Sequence, residues 1–277
     1  IIMDKIRTLV LSGGGGRGAF HAGVYKYLME ANKPGIDASH TGAWDPQVVV
    51  GTSIGAVNGA AIAQGMSADE LEEVWKSLEE KDIQGLPPGM RGFARWIARK
   101  AFGAIMDAKL QPVNPQDATS PVPKDFWSPL PIFSKWWGER LIGRWINLLD
   151  TGPLRKTLHT RFNFDPEKLS KSEKALLIAA TNVQTGERMI FSNREIARRD
   201  TGEARRDVTT GITADRILAS CSIPLVYPWT FDPQTNAFYW DGALVANTPI
   251  GVALDVMRDV PTDIPAEIVV VLMTPWW

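Results

Sequence analysis

The chain has little cysteine, little histidine and almost no net charge. Its single cysteine, Cys221, cannot form an internal disulfide or a multi-thiolate metal site, which excludes disulfide-stapled secreted scaffolds and zinc ribbons. Its three histidines, His21, His40 and His159, show no metal-ligand spacing such as two on one helical turn. Its 30 basic and 31 acidic residues balance, whereas nucleic-acid-binding proteins usually carry a basic excess. We therefore expect no nucleic-acid partner, no metal and no cofactor.

The chain also lacks long apolar runs. No stretch of about 18 consecutive apolar residues occurs, and charged Asp4 and Lys5 follow the first three residues, so we expect neither a spanning helix nor a signal peptide. The first residue is not Met and the chain stops soon after a strand-like run over 268–273, as a piece cut from a longer protein would. Because no disulfide is available, we expect a cytoplasmic protein whose membrane contact is at most peripheral.

Strand, glycine turn and helix follow one another twice in the first 64 residues. Residues 7–11 and 46–50 have the apolar pattern of buried strands, and the segments 19–30 and 56–64 behind them have helical patterns. Two such units predict an α/β fold with a mainly parallel sheet. The first helix is expected to place four apolar side chains on one face: Phe20, Val24, Tyr27 and Leu28.

The later sequence is interrupted and then returns to the same texture. Ser67 and Glu70 form a capping-box pair that predicts a helix over 68–80. Between residues 83 and 150, eight prolines break the pattern, which indicates an insertion or lid within a single domain that spans 1–277. The remaining predicted elements are strands over 176–183, 187–191, 237–240 and 268–273 and a helix over 212–220.

The segment Gly51-Thr52-Ser53-Ile54-Gly55 has the Gly-x-Ser-x-Gly pattern of a nucleophile elbow. It follows an apolar strand and precedes a helix of small residues. A serine at the apex of such a turn is held in a strained backbone conformation that exposes its hydroxyl. The helix N-terminus beside it favours developing negative charge. The pattern therefore predicts that Ser53 is a nucleophile, whereas a plain glycine-flanked turn is the alternative.

The first glycine loop, Gly13 to Gly18, fits two kinds of site. It matches the Gly-x-Gly-x-x-Gly pattern of dinucleotide-binding proteins, but Asp37, the acidic residue at about the right distance, precedes the second strand instead of following it. The elbow occupies the position after that strand. The loop also provides backbone amides without side chains that can converge on an oxyanion.

Ser53 needs a base, and the few histidines limit the choice. In hydrolases with the chain order Ser, Asp, His, the histidine follows the acid, so a triad would need His159 preceded by Asp117 or Asp150. The better candidate is Asp241, which ends a predicted strand. A carboxylate at its ordinary pKa of about 3.9 is a weak base, so we expect burial or hydrogen bonding to increase its basicity.

The glycine loop, the elbow and Asp241-Gly242-Ala243, in this order, resemble the patatin-like phospholipase family. The similarity covers most of the chain outside the insertion and extends to further short segments: Thr151 to Arg155, Ala180 to Asn182 with Thr185-Gly186 and Phe191-Ser192, and Ala219 to Pro224. The resemblance implies a three-layer α/β/α fold, a Ser-Asp dyad without histidine, and hydrolysis of acyl esters in lipids. No calcium-type loop is present, so we expect calcium-independent activity.

Carried over by motif position, the resemblance makes Ser53 the nucleophile and Asp241 the base. The implied oxyanion residues are Gly13, Gly14, Gly15, Gly16, Arg17 and Ile54. The motif glycines are Gly18, Gly51, Gly55 and Gly242. Arg17 matches a basic position of the family, where it either approaches lipid phosphate or holds the loop. Gly16 departs from the family pattern, in which another small residue is usual.

The insertion is basic and rich in tryptophan. Residues 91–150 carry a local net charge of +4 and five of the chain's 11 tryptophans: Trp96, Trp127, Trp136, Trp137 and Trp145. Cationic amphipathic helices with indoles suit a bilayer interface, so these residues predict peripheral membrane contact. The same pattern fits a lid over an acyl chain, or two helices packed on the sheet with basic faces in water.

The leading prediction is a lipid acyl hydrolase of the phospholipase A or lysophospholipase type. A carboxylesterase or thioesterase that acts on soluble acyl substrates would use the same dyad. A non-catalytic nucleotide-binding or lipid-binding module built on the glycine loop is the alternative from a different class.

Overall fold

A mostly parallel β-sheet organises the part of the chain that the computed structural model describes, which comprises residues 5–30, 44–85, 149–258, 260–261 and 263–273. The strands are β1 (Ile6–Leu11), β2 (Val48–Thr52), β3 (Ala175–Asn182), β4 (Arg188–Ser192), β5 (Val208–Thr210), β6 (Thr230–Asp232), β7 (Ala237–Asp241) and β8 (Ala266–Val271). The helices are α1 (Gly18–Glu30), α2 (Ile54–Ala63), α3 (Ala68–Ser77), α4 (Glu80–Ile83), α5 (Gly152–Thr160), α6 (Pro166–Ser170), α7 (Ala214–Ser220) and α8 (Ile250–Val256).

The sheet has the strand order β5-β4-β3-β2-β1-β8, and β7 pairs with both β3 and β6. Strands β8, β1, β2 and β3 run parallel to one another, whereas β4 and β7 run antiparallel to β3. The predicted α/β class with a mainly parallel central sheet is therefore confirmed. Antiparallel strands at one side complete the sheet.

Helices cover both faces of this sheet, as its sequence requires. Strands β2 and β3 are buried almost throughout, which is usual for parallel strands packed on two sides. Alternate residues enter separate cores: Val49 packs with α2 on one face, and Val48 and Val50 pack with Val252 of α8 on the other. The fold is thus the three-layer α/β/α arrangement.

The predicted face of α1 is right for Val24 and Leu28, which pack against the core, and wrong for its other two residues. Phe20 and Tyr27 are 58% and 60% exposed, while the helix buries Ala22, His21 and Tyr25 instead. The reason is close packing of α1 against α2 and α3, with the small residues Gly18 and Ala22 among those buried. A Cβ atom at Gly18 would collide with the Trp75 ring, so no side chain fits at this position of the contact.

The chain divides into two units: Ile1–Gly85 with Thr151–Trp277, and Leu86–Asp150. The predicted insertion over 83–150 and its five tryptophans fall almost wholly outside the described residues, so their roles stay predictions. Of the helices that are described, none is both long enough and apolar enough to cross a membrane.

Candidate active site

Ser53 lies at the junction of β2 and α2 in a strained conformation. Its φ and ψ angles are 56° and −127°, and it is the N-cap residue of α2. Such a backbone costs a non-glycine residue about 1 to 3 kcal/mol and persists only where surrounding structure enforces it. The hydroxyl therefore stands beside the free amides and the positive dipole end of α2.

The two elbow glycines are required by close approach of the backbone. A Cβ atom at Gly55 would collide with the carbonyl of Leu11 in β1, and one at Gly51 would collide with the carbonyl of Gly55. The turn can pass between β1 and β2 only without these side chains. The Gly-x-Ser-x-Gly spacing is thus a steric requirement of this turn.

Ser220, which the sequence does not single out as a functional residue, forms a hydrogen bond with the backbone of the elbow. The backbone N–H of Ser53 donates to Ser220 Oγ at 2.8 Å, and this hydroxyl donates to the carbonyl of Ala179 in β3 at 2.6 Å. Ser220 is fully buried at the end of α7. One side chain therefore connects the strained turn to the central strand of the sheet.

Strand β3 brings Asp241 to Ser53. In the parallel pair, Thr52 at the end of β2 lies opposite Ala179 of β3. In the antiparallel pair, Asp241 at the end of β7 lies opposite the next residue, Ala180. Strand β7 pairs with β3 directly beyond the point where β2 ends. Ser53, which follows Thr52, and Asp241 are therefore brought to neighbouring positions beside β3. The structure brings together the two residues that the motifs single out.

The Asp241 carboxylate is buried, with only 4% of the residue exposed. Burial raises its pKa to about 6, while hydrogen bonds with the Ser53 hydroxyl and the Ala243 amide act in the opposite direction. The Ala243 N–H donates to Oδ1 at 2.8 Å. A carboxylate with this pKa is mostly ionised at pH 7 and is a stronger base than an exposed aspartate.

The backbone of Asp241 is fixed on both sides. Its N–H donates to the carbonyl of Ser222 at 2.9 Å, and its carbonyl accepts a hydrogen bond from the Thr181 hydroxyl at 2.9 Å. A Cβ atom at Gly242 would collide with the carbonyl of Ala179, so the chain turns tightly against β3 directly after the carboxylate. These contacts leave little freedom for the base to move away from Ser53.

Cys221 is adjacent to this site but is not a competing nucleophile. Burial, and to a smaller extent the Asp241 carboxylate, raise the pKa of its thiol well above the usual range. The buried thiol is therefore neutral at pH 7, and only the thiolate form is strongly nucleophilic.

Two amides of the first glycine loop, which the resemblance includes among the oxyanion donors, form hydrogen bonds within this structure. The N–H of Gly13 donates to Asn247 Oδ1 at 2.6 Å. The N–H of Arg17 donates to the carbonyl of Gly14 at 3.3 Å, within a 3-10 turn over Gly15–Arg17. Gly13 and Arg17 therefore shape the loop, because their amides are used within the protein.

The remaining predicted donors are Gly14, Gly15, Gly16 and Ile54. Within the described parts of the chain, no backbone carbonyl outside a helix or strand accepts a hydrogen bond from any of these four amides. Ile54 is the first residue of α2, where the backbone N–H has no partner inside the helix. These four amides are therefore the candidate donors to a substrate oxygen.

The Arg17 side chain holds the loop. Its Nη1 donates to the backbone carbonyl of Met273 at 2.8 Å. The N–H of Met273 in turn donates to Ser12 Oγ at 2.9 Å, just before the loop. Of the two roles considered for Arg17, this contact favours the one in which the guanidinium anchors the glycine loop to the segment after β8.

His21 belongs to a buried polar group that joins α1, α2 and α3. The Asn58 side-chain amide on α2 donates to the Gly18 carbonyl at 2.9 Å, lies 3.3 Å from His21 Nδ1, and accepts a hydrogen bond from Trp75 Nε1 at 2.8 Å. Burial lowers the pKa of His21 to about 4, so the ring is neutral at pH 7. The contact with Gly18 ties the end of the glycine loop to the helix that begins after Ser53.

The structure does not support a triad through His159. This residue is exposed on α5, where its ring meets Phe164 edge to face at 5.6 Å. Asp117 and His40 lie outside the described residues. The carboxylate that meets the Ser53 hydroxyl is that of Asp241. The described residues also contain no group of three or more His, Cys, Asp or Glu side chains that could hold a metal ion.

These features define a chemical arrangement. A serine hydroxyl lies against a buried carboxylate of raised pKa, at a helix N-terminus and beside a loop with free amides. Such a site can form an acyl-enzyme and stabilise the oxyanion of its tetrahedral intermediates.

Comparison with known proteins agrees with this geometry. A model described as patatin-like phospholipase matches residues 9–254. A protein named cGAMP-activated phospholipase from Vibrio cholerae serotype O1 is 26% identical over 267 residues, which cover 95% of this chain and 61% of the relative. A protein of the same name from Escherichia coli strain TW11681 is 24% identical over 263 residues, which cover 94% of this chain and 58% of the relative.

The chain therefore spans about three fifths of the length of these curated relatives. Among solved structures, VipD from Legionella pneumophila aligns with a TM-score of 0.47 and 16% identity, and the match covers 96% of this chain and 49% of that one.

Proposed function

Because the chain belongs to the patatin-like phospholipase family, we propose that it hydrolyses the acyl esters of lipids with Ser53 as nucleophile and Asp241 as base. The observation that carries this proposal is the hydrogen bond between the Ser53 and Asp241 side chains, which the pairing of β2 and β7 with β3 brings together. No third side chain is required, since the buried carboxylate itself has the raised pKa of a base.

In the first step, the ionised Asp241 carboxylate takes the proton of the Ser53 hydroxyl as the oxygen attacks the ester carbonyl. The resulting oxyanion is placed among the amides of Gly14, Gly15, Gly16 and Ile54. Asp241 then returns the proton to the departing alcohol, which is the lysolipid or glycerol oxygen. An acyl group remains esterified to Ser53.

In the second step, a water molecule attacks the acyl-enzyme. Asp241 takes a proton from the water, the oxyanion occupies the same amides, and collapse of the intermediate releases a fatty acid and restores the Ser53 hydroxyl. One base thus serves both halves of the reaction. The role of Ser220 is to hold the Ser53 backbone in the reactive conformation throughout.

The substrate would be a lipid or another acyl ester met at a membrane surface from the cytoplasm. The basic segment 91–150, with Trp96, Trp127, Trp136, Trp137 and Trp145, would add peripheral membrane contact through indoles and positive charge. No nucleic acid takes part in this proposal.

The test is fatty-acid release from phospholipid in mixed micelles by the wild type and by Ser53→Ala and Asp241→Asn. The two curated relatives are named for activation by cGAMP, so each assay is run with and without that nucleotide. We expect release by the wild type in at least one condition, with about 10³-fold or greater loss in both variants. No release in either condition would contradict the proposed activity.

A parallel assay uses a water-soluble short-chain nitrophenyl ester. Hydrolysis of that ester without hydrolysis of phospholipid would favour the alternative of a carboxylesterase or thioesterase. Activity that survives Ser53→Ala would show that another residue is the nucleophile.

A further inference from the structure

A cluster of four aromatic rings, three of them exposed, lies at the hairpin that ends at Asp241. Phe231 of β6 and Phe238 of β7 are directly paired across the hairpin, with ring centroids 5.0 Å apart. Trp229 lies 5.7 Å from Phe238 and 6.3 Å from Trp240. We call these four residues the hairpin patch.

The patch is one face of an amphipathic hairpin. Along β7, Ala237, Tyr239 and Asp241 are buried, while Phe238 is 37% exposed. On β6, Asp232 is buried and Phe231 is 43% exposed. The inner face packs on α7, where Arg216 holds Asp232 at 2.9 Å. The hairpin therefore already has its core contacts, and the aromatic face is directed away from them.

Further exposed apolar side chains lie on segments that directly follow Asp241 or its backbone partner Ser222. Leu244 and Val245, 53% and 50% exposed, follow Asp241 by three and four residues. Leu225 is 78% exposed and has a φ of 67°, three residues after Ser222, whose carbonyl accepts the Asp241 amide. Exposure of an apolar side chain to water and a positive φ both cost free energy. Leu225 is therefore a candidate for contact with a binding partner.

The segment that carries these residues presents no charge to solvent. Between Arg216 and Asp255 the sequence has two charged residues, Asp232 and Asp241, and each is only 4% exposed. In a chain of which 22% is charged, this is a long uncharged surface segment. Protein surfaces that bind protein partners usually carry a polar rim, whereas uncharged rings and aliphatic groups suit the interfacial region of a bilayer.

We propose that the hairpin patch, with Leu225, Leu244 and Val245, docks on the interfacial region of a phospholipid bilayer and presents lipid esters to the dyad. The inference rests on the proposed hydrolase function, since a substrate drawn from the bilayer has to reach Ser53 across the surface next to Asp241. Phe238 and Trp240 lie on the strand that ends at Asp241, so the docking surface is next to the base.

The charge-free patch predicts a distinctive binding behaviour. Apolar insertion depends on buried area and not on counterions, so binding to zwitterionic phosphatidylcholine vesicles should persist at high salt. Contact through the basic segment 91–150 would instead need anionic lipid and weaken as salt increases.

The test is co-sedimentation of the whole chain with phosphatidylcholine vesicles at low and high salt. The patch variant is Leu225→Asn with Phe238→Ser, because asparagine tolerates a positive φ. The matched control is Leu254→Asn with Tyr27→Ser, which removes similarly exposed groups from α8 and α1. We expect the patch variant to lose vesicle binding by about tenfold or more at both salt concentrations, and the control to bind as the wild type does.

Hydrolysis of the water-soluble ester separates the two proposals. Retained ester hydrolysis with lost vesicle binding in the patch variant supports docking, and a wild type inactive on every ester refutes the proposed function. Equal vesicle binding by patch variant and wild type overturns the docking proposal and leaves the dyad intact. A wild-type dimer that becomes monomeric in the patch variant also overturns it, because a second copy would then cover the patch.

Discussion

At the scale of single residues, the site depends on a serine that is not the nucleophile. Ser53 is held with a positive φ, and the hydroxyl of Ser220 accepts its amide hydrogen while donating to Ala179. The strain in the elbow is therefore opposed by a side chain from α7. This contact assigns Ser220 a positioning role.

We predict that Ser220→Ala lowers kcat by about 10- to 100-fold with little change in KM, because small displacements of a nucleophile are costly in rate. The matched control is Ser222→Ala, which is equally buried but bonds to Leu218 and Thr230 instead. Steady-state kinetics and melting temperatures of both variants provide the check. If Ser220→Ala and Ser222→Ala lose equal activity and equal stability, Ser220 contributes to packing and not to positioning of Ser53.

Asp241 makes a second residue-scale prediction, on stability. Its folded pKa of about 6 exceeds the ordinary value of 3.8, so the folded state binds this proton more tightly than the unfolded state does. The stabilisation is complete below pH 3.8 and is lost as the pH rises through 6. Above that pH, the buried charge destabilises the fold by about 3 kcal/mol.

We therefore expect Asp241→Asn to increase the free energy of unfolding at pH 8 by up to about 3 kcal/mol and to leave it nearly unchanged at pH 4. Denaturant unfolding at the two pH values measures this difference. A variant that is less stable than the wild type at pH 8 would contradict the pKa shift.

The sequence was sufficient to single out the proposed nucleophile and base because their motifs are local. Gly51 and Gly55 flank Ser53 for steric reasons within one turn, and Gly242 follows Asp241 for the same reason. The supports could not be found this way. Ser220 and Asn247 contact the site across 167 and 234 positions of sequence, so only the fold reveals which polar side chain meets which amide.

At the scale of elements, length and packing decide what the sequence can predict. Long buried strands and the capping-box helix α3 follow from periodicity, and the Ser67–Glu70 capping box is confirmed. Strands β5 and β6 have three residues each, too few for any period to show, and they exist through pairing with β4 and β7. The buried face of α1 could not be fully predicted because apolar residues occur all round the helix. The close contact at Gly18 determines which side chains of α1 are buried.

Helix α7 leads to a prediction at this scale, because it carries Ser220 and packs under the hairpin. Its Arg216 is 1% exposed, forms a two-pronged ion pair with Asp232, and lies over the Phe191 ring. Burial alone would raise the pKa of Asp232, but hydrogen bonds from Arg216 and Thr235 lower it. The pair is the main polar contact between α7 and β6.

We predict that Asp232→Asn destabilises the protein by about 3 to 5 kcal/mol, because the arginine charge is left buried without its partner. The control is Asp215→Asn on the same helix, whose exposed pair with Arg155 should contribute at most about 1 kcal/mol. Thermal or denaturant unfolding compares the two variants. Similar losses would mean that the buried pair contributes no more than an exposed one.

At the scale of the whole molecule, sheet order explains how distant motifs form one site. Strands β1 and β2 end beside each other at their carboxyl edge, and the glycine loop and the elbow follow them there. Strand β7 then joins β3 where β2 ends, which adds Asp241 from nearly 190 residues later. The parallel half of this arrangement follows from the repeated strand-to-helix units, whereas the place of the antiparallel β7 did not follow from its sequence.

A buried histidine links this packing to acid stability. The pKa of His21 falls to about 4 on burial, below its ordinary value of 6.5, so the unfolded state binds the proton more tightly. Its contribution to stability is complete above pH 6.5 and is lost as the pH falls toward 4. We expect His21→Gln to remove about 3 kcal/mol of this pH dependence, measured by unfolding at pH 7 and pH 4. If the variant shows the same pH dependence as the wild type, His21 is already charged in the folded protein at pH 4.

The most direct test of the account is the rate and site of labelling by a fluorophosphonate probe, followed by mass spectrometry across a pH series. We expect the phosphonyl group on Ser53, no labelling of Ser53→Ala, and a wild-type rate that rises with pH to a plateau, with half its maximum near pH 6. The Asp241→Asn variant should react at least about 100-fold more slowly, without that pH midpoint. Labelling of a different residue, or a rate on Ser53 that is unaffected by Asp241→Asn, would contradict the Ser53–Asp241 dyad.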